Sequence, residues 1–181
     1  SAGVTLYPQD NTDADLLMRH ADQAMYVAKQ SGKNRFHLFD LAHDEAIKTQ
    51  NENLTQIRRA IDQQEFVLFY QPKVNLATGQ VTGAEALIRW CHPERGLLAP
   101  AQFLPVIEND PPSIDVGEWV ISSALAQMSA WNKLGLALPV SVNMGARQLQ
   151  MQDFSARLKA LLAAHSDVPA HWLQLEVLET S

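Results

Sequence analysis

The stretch GAEALIRW, Gly83 to Trp90, sets a carboxylate at Glu85 and a guanidinium at Arg89 inside an otherwise apolar run. Charged side chains in such a run are seldom buried unless they pair or bind something. Along a strand, Glu85, Leu87 and Arg89 share one face, while Ala84, Ala86, Ile88 and Trp90 take the other. Three further stretches repeat the arrangement. In FVLFYQ the face of Val67 and Phe69 ends in Gln71, in PVSVN the face of Ser141 ends in Asn143, and in LQLEVLE Gln174 shares a face with Glu176. Two carboxylates and a carboxamide converging make a hard, all-oxygen donor set, suited to Mg²⁺ or Mn²⁺ and less selectively to Ca²⁺. An arginine on the face of Glu85 suits a phosphate, through its bidentate fork. Metal plus phosphate indicates phosphoester chemistry, with the metal lowering the pKa of a bound water. The pattern alone equally allows Glu85 and Arg89 to pair with each other, Asn143 to serve a turn or cap, and LEVLETS to be an exposed acidic edge.

These side chains need a scaffold. FVLFYQPKV reads as a strand buried on both faces, NLATGQ as a turn and VTGAEALIRW as a second strand. A connection this short forces the two strands antiparallel, because a parallel crossover needs a dozen residues or more. Helical segments are expected near 101–109 and 114–133, then a strand at LPVSVNM, a helix around 152–164 and a last strand at WLQLEVLE. Strands alternating with helices indicate an α/β domain with parallel strands, whose C-terminal strand ends carry the active site.

Ahead of this lies a smaller pattern. SAGVTLYP reads as a strand, DLLMRHADQAMYVAKQSG as a helix with Gly32 at its C-terminal end, and KNRFHLF as a returning strand. About 40 residues are too few to bury a core alone. Residues 41–64 carry a narrow apolar stripe of Ile47, Leu54, Ile57, Ala60 and Ile61, read as a connecting helix that becomes the first helix of the next unit. The absence of an initiator methionine and the stop on a strand are expected of a chain cut at both ends.

Composition bounds the function. Of 181 residues, 46% are hydrophobic and 19% charged, the balance of a globular protein rather than a disordered one. A net charge of −6 gives no general attraction to nucleic acid or anionic membrane. No apolar run approaches the roughly 20 residues of a membrane span, and no secretory signal is visible. The single cysteine, Cys91, excludes an internal disulfide and fits a cytoplasmic location, with any membrane anchor lying outside this stretch. No metalloprotease histidine spacing, nucleophile elbow or glycine-rich phosphate loop occurs.

Taken together, FYQP, GAEALIRWCHPERG, FLPVIE, VGEWVISSALAQMSAW, LPVSVNMGARQL and LQLEVLETS, in this order and spacing, resemble the EAL family of cyclic di-GMP phosphodiesterases. SAGVTLYP, ADLLMRHADQAMYVAK and GKNRFHLFD resemble the C-terminal end of the GGDEF family of diguanylate cyclases. The expected organisation is a GGDEF remnant over 1–40, a connecting helix over 41–53, and the N-terminal half of an EAL domain over 54–181. The resemblance implies an incomplete, modified TIM-type (β/α) barrel, its first strand antiparallel, preceded by a small α/β remnant.

Carried over residue by residue, the resemblance implies that Glu85, Asn143 and Glu176 are catalytic metal ligands. It places Gln71, Leu87 and Arg89 against the dinucleotide, with Glu179 steadying a loop over the site. Lys29 and Lys33 fall where the cyclase family sets basic residues against phosphates, or on a solvated helix end. The implied reaction is hydrolysis of cyclic di-GMP to linear pGpG with Mg²⁺ or Mn²⁺, Ca²⁺ being inhibitory. The family pattern continues past Ser181 with paired aspartates, a lysine, a glutamate and a glutamine, so this stretch alone is expected to be inactive. Open strand edges lead to the expectation of a homodimer or swapped oligomer. A non-catalytic cyclic di-GMP receptor is the alternative to an enzyme, and residues 1–64 acting as a linker between domains is a third role.

Overall fold

The structure, a computed structural model, describes residues 1–30 and 32–177, with the backbone alone for Leu41, His43 and Asp44. It divides into two compact units, Ser1–Asn53 and Leu54–Ser181. The position of Glu179 lies outside the described residues.

In the first unit, strands β1 (Ala2–Val4) and β2 (Phe36–Leu38) pair in parallel, and helix α1 (Ala14–Gln30) makes the crossover between them. Asp13 caps α1, its Oδ1 accepting the Leu16 N–H at 2.8 Å. The helix buries Ala24 and Ala28. Gly3 lets β1 lie on the helix backbone, since a Cβ there would stand 1.8 Å from the Ala21 carbonyl oxygen. The strand expected over SAGVTLYP shortens to three residues because the chain then turns, with the Asp10 N–H bonding back to the Leu6 carbonyl at 2.8 Å. Asp10 is buried, accepts the Thr5 hydroxyl at 2.6 Å and lies 2.7 Å from His20 Nδ1. The His20 ring stacks on Phe39 at 4.0 Å.

Helix α2 (Leu41–Asp62) begins under an Asp40 cap, whose Oδ1 accepts the Ala42 N–H at 3.0 Å. From Leu54 onward it belongs to the second unit, and Ile57 and Ala60 are buried in that unit's core.

The second unit is built on strands β3 (Phe66–Val74), β4 (Val81–His92), β5 (Gly96–Leu98), β6 (Val140–Met144) and β7 (Leu173–Val177). β3 and β4 are antiparallel, as their short connection requires. In that connection Asn75 Oδ1 accepts the N–H groups of Ala77 and Thr78, and Gly79 takes the left-handed φ of 70° that favours glycine. β6 is parallel to β4 and β7 to β6, giving the order β3-β4-β6-β7, with β5 folded back antiparallel on the end of β4.

One face of this sheet is the core. Ala84, Ala86, Ile88 and Trp90 of β4, with Val140, Val142 and Met144 of β6, are all buried there. Helix α4 (Pro112–Lys133) belongs to the same core and supplies Val116, Val120, Ile121, Ala124, Leu125 and Met128, a stripe at helical spacing. Burying each such large aliphatic side chain contributes about 1.5–3 kcal/mol, which fixes the face that β4 turns inward.

The helix expected over 101–109 is smaller than the sequence suggests. A 3-10 turn at Pro100–Gln102 leads into α3 (Leu104–Ile107), because Pro105 lacks the N–H needed beyond a helix's first turn. Two helices complete the unit, α5 (Ala146–Leu149) and α6 (Phe154–Ala164). Arg157 of α6 pairs with Glu118 of α4 and tethers these helices.

Candidate active site

The opposite face of the sheet carries the polar residues, and strand register decides which of them meet. Gln71 stands opposite Glu85, Glu85 beside Ser141, and Ser141 beside Gln174, a row crossing all four strands. Asn143 stands beside Glu176 one pleat further on. Neighbouring strands lie about 4.8 Å apart, close enough for side chains in one row to touch. Asn143 Nδ2 donates to Glu85 Oε1 at 2.8 Å, so β4 and β6 bring two of the three expected metal ligands into contact.

Glu176, the third, reaches elsewhere. Its Oε1 accepts a hydrogen bond from Lys73 Nζ at 2.6 Å, an ion pair joining β7 to β3. The Lys73 ammonium first, and the nearby Ser141 hydroxyl second, hold the Glu176 carboxyl below the usual carboxylate range against the opposing effect of desolvation. Ser141 is 1% exposed, and its Oγ completes no hydrogen bond of ordinary geometry among the described residues. A buried hydroxyl whose hydrogen bond is incomplete is costly, and among the described residues this one has only the nearby Glu176 carboxylate to act on.

Arg89 is held flat. Its guanidinium lies 5.6 Å from the Phe69 ring centroid, and Nη1 donates to the Ile88 carbonyl at 2.8 Å. No ion pair joins it to Glu85 among the described residues, so mutual neutralisation does not explain their presence on one strand. Leu87 lies between them on the same face, opposite Phe69 in register and half-buried. Gln71 is exposed at the edge strand.

The face therefore gathers an amide, two carboxylates, a carboxamide, an ammonium and a guanidinium over an aromatic ring. Lys73 is the member that motif reading passed over. Strand alternation from Gln71 places it on this face, and that was the available signal. Among the described residues no three carboxylate, imidazole or thiolate side chains stand together as a ready metal cage. The donor set is two carboxylates plus an amide oxygen, all hard ligands, with the unpartnered Ser141 hydroxyl amid them, and it fits a small divalent cation completed by water. In the first unit, Lys29 and Lys33 are both exposed. No helix among the described residues is long and apolar enough to cross a membrane.

An antiparallel first strand followed by parallel strands under helices, with a polar far face, defines a partial (β/α) barrel of the EAL type. Residues 54–181 match the EAL domain, and the chain belongs to that family. Residues 1–35 match the diguanylate cyclase, GGDEF domain. Among curated proteins, the bifunctional diguanylate cyclase/cyclic di-GMP phosphodiesterase MucR of Pseudomonas aeruginosa is 38% identical over 182 residues, covering 100% of this chain and 26% of its own length. The cyclic di-GMP phosphodiesterase PdeR of Escherichia coli is 36% identical over 162 residues, covering 90% of this chain and 24% of its own length. The chain thus spans about a quarter of these relatives. Among solved structures, the MucR phosphodiesterase in complex with c-di-GMP aligns with a TM-score of 0.67 at 38% identity, over 71% of this chain and 52% of that one.

Proposed function

We propose that this chain is part of a metal-dependent cyclic di-GMP phosphodiesterase that opens one phosphodiester bond to give linear pGpG. The observation that carries the reading is the register that sets Gln71, Glu85, Asn143 and Glu176 on one sheet face beside Arg89, with Glu85 and Asn143 already in contact. Mg²⁺ or Mn²⁺ would be held by Glu85, Asn143 and Glu176 and would supply a Lewis acid for hydrolysis, while Ca²⁺ would occupy the ligands without supporting turnover. Arg89, pre-oriented on Phe69, binds a phosphate through its fork, and Gln71 and Leu87 flank the dinucleotide.

Residues 1–40 are read as the end of a GGDEF domain, 41–53 as a connecting helix and 54–181 as part of the EAL barrel, in a cytoplasmic setting. This stretch by itself is read as turning over no substrate, since the paired aspartates, the lysine and the further glutamate that the resemblance calls for are not among its residues. Association of two copies is proposed alongside this reading, and light scattering on the purified protein tests it.

The deciding experiment incubates the full-length protein and its Glu85→Ala variant with cyclic di-GMP and Mg²⁺, then Ca²⁺, and follows pGpG by chromatography. Production of pGpG under Mg²⁺ that disappears in the variant is the expected result. Tight binding without turnover under Mg²⁺ and Mn²⁺ would refute the enzyme and favour a cyclic di-GMP receptor.

A further inference from the structure

Lys73 and Glu176 are 103 positions apart in sequence and sit on the two outer strands of the path β3-β4-β6-β7. Their contact therefore spans the whole polar face. Opposite Lys73 in register is Gly83, which has no side chain to obstruct the lysine stem as it crosses. The ammonium ends 2.6 Å from Glu176 Oε1.

Two properties distinguish this pair from a permanent tether. Lysine presents a compact charge on a flexible stem, unlike the rigid fork of arginine, and so exchanges partners readily. The side chains are 39% and 42% exposed, so the pair is solvated and weak. Among the described residues, Glu176 is also the one proposed ligand that shares no hydrogen bond with the other two. Glu85 and Asn143 bond to each other, while the Glu176 carboxylate is committed to the lysine.

We propose that Lys73 is a built-in counter-ion that holds Glu176 until a divalent cation displaces it, so that cation uptake and release of the Lys73 ammonium are one exchange. This rests on the reading of Glu176 as a cation ligand. The ammonium supplies one positive charge to the acidic face in the cation-free state and keeps the carboxylate turned inward. A divalent ion supplies two charges at shorter range and takes its place. Lys73 is thus a positioning residue that sets how tightly the cation binds, without itself touching the reacting phosphate.

The test measures free Mn²⁺ by electron paramagnetic resonance during titration of the full-length protein, its Lys73→Met and Lys73→Arg variants, and Glu85→Ala. Exposed ion pairs of this kind are worth little, so Lys73→Met is expected to bind Mn²⁺ about two- to five-fold more tightly than the wild type, and Lys73→Arg no more tightly than the wild type. In parallel, an amine-reactive reagent read by mass spectrometry labels the wild-type protein. Lys73 labelling is expected to rise several-fold at saturating Mn²⁺ while that of Lys48 and Lys159 stays constant. Unchanged or weaker Mn²⁺ binding in Lys73→Met overturns the proposal, as does labelling that ignores the metal. The labelling decides the matter should the methionine variant not fold. A wild type that binds no Mn²⁺ at all, equal to Glu85→Ala, overturns the cation reading itself, an outcome distinct from failure of the exchange.

Discussion

Phe103 anchors the aromatic cluster behind the strand that carries Glu85 and Arg89, and Phe103→Ala is the perturbation whose outcome is most directly calculable. Its ring is 2% exposed and lies 5.5 Å from Phe66 and 5.7 Å, edge-on, from Trp90. Trp90 is the residue after Arg89, and its indole N–H donates to Glu65 at 2.9 Å, so the cluster fixes the end of β4. A buried aromatic ring removes about 150–250 Å² from water, which at about 25 cal/mol per Å² is worth about 4–6 kcal/mol. Alanine retains a methyl group's share, and measured Phe→Ala losses run about 3–5 kcal/mol. Two ring pairs are lost as well, placing the expected loss near 4 kcal/mol. With a urea slope of about 1–3 kcal/mol per M, the unfolding midpoint of the full-length protein's EAL transition falls by about 1.3–4 M. Tryptophan fluorescence is the natural readout, because Trp90 and Trp119 report from within the cluster. Phe103→Leu serves as the control and loses no more than about 1.5 kcal/mol. A Phe103→Ala loss below about 1.5 kcal/mol at unchanged slope would refute the packing argument, since it would mean the ring is not sealed between strand and helix.

Other outcomes are equally specific. Gly3→Ala places a Cβ 1.8 Å from the Ala21 carbonyl oxygen and 2.3 Å from the Met25 backbone nitrogen, so the first unit is expected to lose about 3 kcal/mol or more, seen as faster amide exchange in α1. The Ser129 hydroxyl, bonded to Asp167 at 2.5 Å, is the first cause holding that carboxyl below its usual range. A depressed folded pKa gives stability that is present above the unfolded value and lost as pH falls through the folded one, so Ser129→Ala should flatten the acid-side decline in melting temperature below about pH 4. Burial pushes the Tyr70 hydroxyl up to about 12, with Trp131 packed edge-on at 4.8 Å. A raised folded pKa gives stability complete below the unfolded value of about 10 and lost as pH climbs toward 12, so ultraviolet titration should show one tyrosine ionising only with alkaline unfolding. Arg89→Lys keeps the charge but loses the fork and its stacking on Phe69, and is expected to weaken cyclic di-GMP binding about ten-fold in a calorimetric titration.

The antiparallel start of the sheet was legible because six turn residues admit no other geometry, and the faces of β4, β6 and β7 were legible because alternation is a local rule. Asn143 beside Glu176 follows from those two facts only once the register of β6 on β7 is known. Register between distant strands was not legible, for it is set by how α4 seats Val120, Ile121 and Leu125 against Val140 and Val142, a packing event with no local signature. Lys73 was missed for the same reason. Nothing near it in sequence announces a partner on β7, which lies 103 positions away. The short β5 escaped notice because Gly96–Leu98 has too few residues to show a period, and its pairing with Trp90–His92 is visible only in space.

Strand β4 has a consequence for how such a protein can change over generations. Its odd-numbered positions from Glu85 to Arg89 lie on the face proposed to meet ligand, and its even-numbered ones from Ala84 to Trp90 answer to the volume available under the helices. The two messages are interleaved letter by letter yet judged separately. An exchange of one apolar side chain for another on the even face is a matter of fit, to be offset elsewhere in the core. A single inserted or deleted residue scrambles both messages at once by swapping the faces. Respelling one face is therefore less costly than reframing both, and the turn at Asn75–Gln80, which carries neither message, is where a change of length would disturb them least.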